Sequence, residues 1–181
     1  MNLAYLLLGS NIEPERNLPA AVTHLSQFGC VRATSTVWQT APVGRTDQPD
    51  YLNAVVLLET PLSAQELQET AITFIESTLG RVRTVDKYAP RTIDVDILLF
   101  NHEVLSLGRH RIPNPEILER PFVALLLAEI APEYVHPEIG QTLQQIAAQF
   151  AGETAQMHRR EDLTLLTAAS DAYNCQGEKK R

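Results

Sequence analysis

The sequence has only two cysteines, no glycine-rich phosphate loop and no apolar run long enough to cross a membrane. Cys30 and Cys175 are too few and too far apart to indicate a disulfide framework. The N-terminus also lacks the basic segment and apolar core of a secretion signal. These absences argue against a disulfide-stapled fold, a P-loop kinase and a membrane partner, and they predict a cytoplasmic location.

An excess of positive charge is also absent. The 181-residue chain has a formal net charge of −7, which argues against a nucleic-acid partner. Residues 81–120 nevertheless carry a net charge of +1, against −8 for the remainder. The basic residues of this stretch are Arg81, Arg83, Lys87, Arg91, Arg109, Arg111 and Arg120. Because local charge decides ligand binding, an anionic small molecule is compatible with this chain.

Two aspartates in an apolar segment are the most informative feature that is present. Residues 92–100 are rich in β-branched and large apolar side chains, which predicts a strand. Because side chains alternate faces, Asp94 and Asp96 are expected to point the same way. The residues expected on the other face are Ile93, Val95, Ile97 and Leu99. Adjacent carboxylates are costly to bury without a cation, so the pair predicts either a metal site or an exposed acidic face.

The predicted elements follow the order strand, helix, strand, strand, helix, strand. The strands are predicted over residues 3–8, 31–39, 51–59 and 92–100, and the helices over 14–28 and 63–79. Ser63 and Glu66 have the spacing of a capping box at the start of the second helix. The order is typical of the split βαβ pattern. It predicts an α+β, ferredoxin-like fold with a four-stranded antiparallel sheet and the helices on one face.

The remaining chain is predicted to extend this domain to residue 152. Further helices are expected over residues 121–130 and 142–150, and a short hairpin is expected to join 103–104 to 111–112. Beyond residue 152 the pattern weakens, and residues 153–181 are predicted to form a partly disordered C-terminal extension. Within that extension, residues 163–166 fit one extra strand or a helical turn.

A tyrosine and an asparagine at the start of the third strand form a candidate ligand site. Tyr51 and Asn53 are two residues apart and therefore share a face. An asparagine side chain offers both a donor and an acceptor, which suits the edge of a planar heterocycle. Taken alone, the pair is better explained as two surface residues that follow a loop.

Several arginines could hold a phosphate group. Arg81 and Arg83 follow the helix stop at Gly80, and the guanidinium fork gives bidentate hydrogen bonds to phosphate. Arg91 precedes the acidic strand, where it could bridge a phosphate to a metal site. Glu76 is expected to be either a solvated helix residue or a partner for one of these arginines.

Taken together, these motifs resemble the 6-hydroxymethyl-7,8-dihydropterin pyrophosphokinase family of folate biosynthesis. The matching segments are residues 8–11, 40–44, 47–53, 80–83, 90–99, 112–113, 120–122 and 128–132. The combination is specific to the family, although no single segment is. At two positions the chain departs from the usual pattern: Asn114 stands where a histidine is common, and Tyr88 where tryptophan is common.

The resemblance implies transfer of pyrophosphate from ATP to the hydroxymethyl group of the dihydropterin, with release of AMP. It implies two Mg²⁺ ions held by Asp94 and Asp96, and catalytic roles for these aspartates and for Arg81 and Arg91. The ATP-binding residues that it implies are Arg81, Arg83, Tyr88, Arg91, Ile97, Arg109, Arg111, Asn114 and Arg120. The pterin-binding residues that it implies are Thr40, Ala41, Pro42, Val43, Gly44, Tyr51, Asn53 and Phe122. Small-molecule substrates are the expected partners, and a monomer is expected.

Two other functions fit parts of the pattern. A ferredoxin-like regulatory module that binds a small ligand without catalysis would not need paired aspartates and five arginines. A metal-dependent nucleotidyltransferase with a palm-like sheet also has paired aspartates, but it would not explain Tyr51 and Asn53.

Overall fold

The structure, a computed structural model, describes residues 1–44, 46–82, 84–86, 88–153 and 157–165. The strands in these ranges are β1 (Asn2–Ser10), β2 (Cys30–Thr34), β3 (Val37–Thr40), β4 (Tyr51–Thr60), β5 (Asp94–Phe100), β6 (Leu105–Leu107), β7 (His110–Ile112) and β8 (Met157–Arg160). The helices are α1 (Pro14–Leu25), α2 (Ala64–Glu66), α3 (Thr73–Thr78), α4 (Glu116–Glu119), α5 (Pro121–Ile130) and α6 (Leu143–Ala148). A π-helical segment, Leu67–Ile72, joins α2 to α3 in one continuous helix.

The main sheet is antiparallel throughout and follows the order β5-β1-β4-β3-β8, with β2 also paired to β4. The predicted core order of strands and helices is confirmed, and so are the capping box at Ser63 and the helix over residues 121–130. The predicted hairpin is present as β6 and β7, slightly shifted along the chain. The sheet has six strands rather than the predicted four, because one predicted strand is divided and β8 is added at the edge.

The predicted strand over residues 31–39 is interrupted at Ser35. The Ser35 N–H donates to the Val55 carbonyl, and the Ser35 hydroxyl oxygen accepts from the Val55 N–H, both at 2.8 Å. The side chain therefore replaces a backbone acceptor, so that the chain leaves the regular ladder while Val55 stays fully bonded. This exchange divides the segment into β2 and β3.

The sheet is covered on both faces. The two crossover helices, α1 and the continuous helix from α2 to α3, pack on one face, as predicted, against residues that include Leu6 and Val56. The later helices α4, α5 and α6 pack on the opposite face against residues that include Leu7 and Val55. Because neighbours along a strand point to opposite sides, β1 and β4 contribute to both cores.

A β-bulge changes the facing of β5 after its acidic half. Leu6 of β1 pairs with Ile97, whereas the preceding Tyr5 pairs with Leu99, which leaves Leu98 as an extra residue. Leu99 therefore packs on the same side as α5, and its predicted position opposite the aspartates is wrong. For the residues that precede the bulge, the predicted position opposite the aspartates is confirmed, since Val95 and Ile97 lie in the core against α1 and α3.

The C-terminal segment joins the sheet. Its strand is Met157–Arg160, paired with β3, rather than residues 163–166. Leu163 and Leu165 instead pack against the core on the α1 side. Leu166 and residues 173–181, for which a strand end and disorder were predicted, lie outside the described residues. No helix within the described ranges is long and apolar enough to cross a bilayer.

The hydrogen bonds of Ser35 yield a stability prediction. We expect Ser35→Ala to lower the free energy of unfolding by about 1–3 kcal/mol, because the buried Val55 N–H loses its acceptor. Urea unfolding followed by circular dichroism measures this change. Ser77→Ala is the control, since that exposed hydroxyl bonds only to a carbonyl of its own helix and should change stability by less than about 0.5 kcal/mol. Equal losses in the two variants would contradict the assignment.

Candidate active site

A cavity of about 760 Å³ lies between the sheet and the junction of α4 with α5. Its floor is set by strand register: Gly9 of β1 pairs with Asn53 of β4 on one side and with Asp94 of β5 on the other. Because Gly9 has no side chain, the floor between Asn53 and Asp94 is open. Residues distant in sequence are thus brought into one row across three neighbouring strands.

Asp94 lies between two guanidinium groups. Its Oδ1 is 3.0 Å from Arg81 Nη2, and its Oδ2 is 2.5 Å from Arg91 Nη1. Arg81 also donates through Nη1 to the Ile93 carbonyl at 2.7 Å. Charge-assisted hydrogen bonds of this kind are short and directional, so the two arginines fix the Asp94 carboxylate at the edge of the cavity.

Asp96 is a carboxylate without such compensation. It lines the cavity, and its side chain makes no hydrogen bond or ion pair with the described residues. Burial, followed by the nearby charge of Asp94 and those of Glu116 and Glu76, raises the pKa of Asp96 to about 7. Burial also raises the pKa of Glu116. This end of the cavity therefore has excess negative charge that a bound cation would relieve.

The donor set fits a hard cation whose coordination is completed from outside the protein. Asp94 and Asp96 supply carboxylate oxygens, which Mg²⁺ prefers. Within the described part of the chain, no three His, Cys, Asp or Glu side chains converge closely enough to hold a metal by themselves. Magnesium commonly binds through one or two carboxylates together with water and substrate phosphates, so two aspartates are sufficient.

Glu76 positions Arg81. Glu76 is only 5% exposed, so the prediction of a solvated helix residue is wrong. The alternative prediction, a partner for one of the arginines, is confirmed. Its Oε2 lies 3.6 Å from Arg81 Nε, and its Oε1 accepts from the Val95 N–H at 3.3 Å. Helix α3 is thereby tied both to the arginine and to the backbone of the acidic strand.

Asn11 joins the three segments that surround the Arg91 side of the site. Its Oδ1 accepts from the Arg91 N–H at 2.8 Å, and its Nδ2 donates to Gln48 Oε1 at 3.0 Å and to the Pro49 carbonyl at 3.2 Å. Gln48 in turn donates to the Tyr88 carbonyl at 3.0 Å. The loops before β4 and before β5 are therefore held together over the end of β1.

The opposite end of the cavity has amide and aromatic groups. Asn53 is buried, and its Nδ2 donates to Thr40 Oγ1 at 2.8 Å, which fixes the orientation of the amide. Tyr51 and Phe122 line the same cavity, and the Arg91 guanidinium carbon lies 5.9 Å from the centre of the Tyr51 ring. A fixed amide beside aromatic side chains suits a planar ring with polar edges.

The structure brings together most of the residues predicted for the pterin. Thr40, Ala41 and Val43 line the cavity with the three residues just described. Gly44 supports Tyr88: it has a φ of 81°, and a Cβ there would lie 3.0 Å from the Tyr88 ring. Pro42 is next to two lining residues and does not line the cavity itself.

The residues predicted to bind ATP are more widely distributed than those predicted to bind the pterin. Tyr88, Arg91 and Arg120 line the cavity, and Arg120 pairs with Glu116 at 3.0 Å. Arg111 and Asn114 instead line a second cavity of about 300 Å³, which shares Glu119 with the first.

Two further residues predicted to bind ATP lie away from both cavities. Arg109 is exposed in the β6–β7 turn and lines neither cavity. The Ile97 side chain is buried in the core on the opposite face of the sheet. Arg83 lies outside the described residues.

Sequence reasoning missed several lining residues. Gln48 lies inside a matching motif, which could have indicated it, and Glu116 and Glu119 belong to a short helix that was not predicted. Glu153 and Met157 come from the weakly patterned C-terminal segment, and no sequence signal marks them.

The fold and the cavity define a ferredoxin-like α+β protein whose site combines paired carboxylates, arginines and a slot for a planar ring. The chain belongs to the 7,8-dihydro-6-hydroxymethylpterin-pyrophosphokinase (HPPK) family, whose model matches residues 5–132. The family predicted from the motifs is confirmed, and the regulatory-module alternative is not favoured.

Named relatives support this assignment. The chain is 39% identical over 154 residues to the 2-amino-4-hydroxy-6-hydroxymethyldihydropteridine pyrophosphokinase of Haemophilus influenzae, an alignment covering 83% of this chain and 94% of the relative. It is 45% identical over 132 residues to the enzyme of the same name from Bacillus subtilis, which covers 71% of this chain and 78% of the relative.

Solved structures support the fold. The chain is similar to wild-type Plasmodium falciparum HPPK-DHPS crystallised with SDX-DHP, with a TM-score of 0.65 at 16% identity, covering 88% of this chain and 47% of that one. The same protein with pterin and p-hydroxybenzoate gives a TM-score of 0.66 at 17% identity, covering 87% and 46%. The chain thus spans about half the length of these structures, and the ferredoxin-like fold prediction is confirmed.

The buried contacts of Glu76 yield a second stability prediction. We expect Glu76→Ala to lower the free energy of unfolding by about 3 kcal/mol, because Arg81 loses a buried partner and the Val95 N–H loses its acceptor. Urea unfolding measures the loss. Glu69→Ala is the control. Glu69 lies in the same continuous helix as Glu76, and its exposed carboxylate accepts a hydrogen bond from Gln65. A loss for Glu76→Ala as small as that of the control would contradict the positioning role.

Proposed function

We propose that the chain transfers pyrophosphate from ATP to the hydroxymethyl group of 6-hydroxymethyl-7,8-dihydropterin, releasing AMP, as a step of folate biosynthesis. Family membership and the names of the relatives support this activity. The observation that carries it is the row of Asn53, Gly9 and Asp94. Neighbouring strands are spaced about 4.8 Å, so the Cα atoms of Asn53 and Asp94 are roughly 10 Å apart, with Gly9 between them. A bicyclic ring with a one-carbon arm fits this separation.

Asn53 and the aromatic residues are proposed to hold the pterin. With its Nδ2 occupied by Thr40, the Asn53 Oδ1 remains an acceptor for an N–H group of the ring. Tyr51 and Phe122 are proposed to contact the ring faces, and Thr40, Ala41 and Val43 to form the wall beside it. In this orientation the hydroxymethyl group points towards Asp94 and Asp96.

Asp94 and Asp96 are proposed to hold two Mg²⁺ ions together with the phosphates of ATP. When bound, these ions neutralise phosphate charge and orient the phosphate oxygens. The free carboxylate of Asp96 supports a cation at this place, as does its raised pKa. Arg81 and Arg91 compensate Asp94 in the absence of ligand. Arg91, which lines the cavity, is proposed to share its hydrogen bonds with phosphate oxygens when ATP is bound.

The reaction needs charge stabilisation more than covalent catalysis. The hydroxyl oxygen forms a bond to the β-phosphorus, the bond from that phosphorus to the α–β bridging oxygen breaks, AMP leaves, and the hydroxyl proton is released. Charge spreads over the transferred phosphoryl oxygens in a loose transition state. Arg91 and Arg120 line the cavity where that charge develops and are proposed to stabilise it, while Arg81 acts through Asp94.

A nucleotide that extends past Glu119 would reach the second cavity. Arg111 and Asn114 line that cavity, so they are proposed to contact ATP at its far end. Arg83, Arg109 and Ile97 remain predictions from the family resemblance. A monomer is proposed as the active form.

The activity is tested by measuring AMP release from ATP with Mg²⁺ and the hydroxymethyl-dihydropterin. We expect AMP to form only when all three are present and to appear in step with consumption of the pterin. Release of ADP instead of AMP would refute the pyrophosphokinase assignment. An AMP level no higher than that of the reaction without pterin would also refute it and would favour the regulatory module.

Removing one carboxylate separates activity from stability. We expect Asp96→Asn to reduce AMP formation by about 100-fold or more, because a charge that balances the metal and phosphate groups is lost. Stability should be unchanged or higher, because a partly buried carboxylate close to other negative charges is removed. Asp50→Asn, an exposed residue that bonds to Gln39, is the control and should retain full activity. Near-normal turnover by Asp96→Asn would exclude the metal-binding role.

The open floor at Gly9 yields a specificity prediction. A Cβ at this position would lie 3.2 Å from Asn53 Oδ1, so Gly9→Ala should crowd the pterin end of the cavity. We expect the KM for the pterin to rise about tenfold and the KM for ATP to stay within about twofold. Gly152→Ala, where the added methyl meets open space, is the control. Equal effects on both substrates would argue against this orientation of the pterin.

A further inference from the structure

The C-terminal strand contributes a side chain to the substrate cavity. Met157 is the first residue of β8, and its cross-strand partner is Thr40 of β3, which pairs in turn with Tyr51 of β4. Directly paired residues point to the same face of a sheet, so Met157, Thr40 and Tyr51 form a row on the cavity side. All three line the cavity.

Contacts outside the cavity fix the position of this strand. At its far end, Arg160 pairs with Asp162 at 2.7 Å and reaches Glu15 of α1 at 3.3 Å. Just beyond, Leu165 is 5% exposed in the core on the α1 side. Because ion pairs and a buried leucine anchor the segment after β8, the register that directs Met157 into the cavity does not depend on a ligand.

The row to which Met157 belongs lies away from the acidic end. The row of paired residues that contains Asp94 continues through Gly9 and Asn53 to Trp38 and Arg159. The row of Met157, Thr40 and Tyr51 is two residue positions further along the strands and therefore on the same face. The aspartates of β5 therefore face one end of a bound substrate, and Met157 faces the end with the amide and aromatic groups. Its polarizable thioether suits contact with a flat heteroaromatic ring.

We propose that Met157 is a substrate-binding residue that contacts the pterin ring and determines affinity for it, an inference that rests on the proposed function. The edge strand β8 then forms part of the substrate site, so residues after 152 contribute to substrate binding. The contact acts on the pterin and leaves the nucleotide unaffected, because three strands, β3, β4 and β1, separate Met157 from Asp94.

Three variants test this role. Met157→Ala should raise the KM for the pterin and its Kd in the absence of ATP by about tenfold, with kcat and the KM for ATP within about twofold of wild type. Met157→Leu keeps most of the apolar contact area and should restore both values to within about threefold. His158→Ala is the matched control: it is the next residue of the same strand, exposed on the opposite face and paired with Gln39, and it should change neither value.

The outcomes are distinguishable. Unchanged KM and Kd for the pterin in Met157→Ala would overturn the proposal, and so would equal losses for pterin and ATP accompanied by a lower melting temperature, since these indicate a structural role. Failure of the wild-type chain to release AMP would instead refute the proposed function. In that case titration of the wild-type and Met157→Ala proteins with the pterin alone would still decide whether Met157 contacts it.

Discussion

The carboxylate of Asp94, held between the guanidinium groups of Arg81 and Arg91, is the interaction on which the site depends. Arg81 follows helix α3 and Arg91 lies three residues before the start of β5, so the ion pairs join two separate segments of the chain to the sheet. Charges that are largely removed from water must be compensated by opposite charges. Removal of one partner would leave the others as uncompensated buried charges, which destabilises the fold. Glu76 extends the network to a third element by contacting both Arg81 and the backbone of β5.

The same network leaves one charge uncompensated. Asp96 is two residues from Asp94 on the same face, and the arginines that bond to Asp94 do not bond to it. The two apolar cores on either side of the sheet supply the stability that tolerates this unfavourable carboxylate. Uncompensated groups of this kind cluster at functional sites, where a ligand supplies the missing partner. For this chain the proposed partner is Mg²⁺ with a nucleotide phosphate.

Strand register places the other substrate-binding groups beside this charge network. Gly9 provides an open floor between Asn53 and Asp94, and the loops joined through Asn11 enclose the Arg91 side. Asp94 and Asp96 on β5 are thereby separated from Tyr51 and Asn53 on β4 by one intervening strand, β1. A phosphate donor and a planar acceptor can bind side by side because each end of the cavity has its own chemistry. The edge strand β8 extends the ring-binding end with Met157.

Local patterns were sufficient for much of this protein. Alternation placed Asp94 and Asp96 on one face, the Ser63 spacing started the second long helix, and ordered motifs identified the family, because each depends on residues close in sequence. Tertiary structure alone decided the rest. The bulge at Leu98 turned Leu99 to the other core, a hydrogen bond to Val55 divided the second strand, and burial made Glu76 an arginine partner. It also placed Met157 in the cavity, since pairing between strands more than 100 residues apart leaves no local pattern.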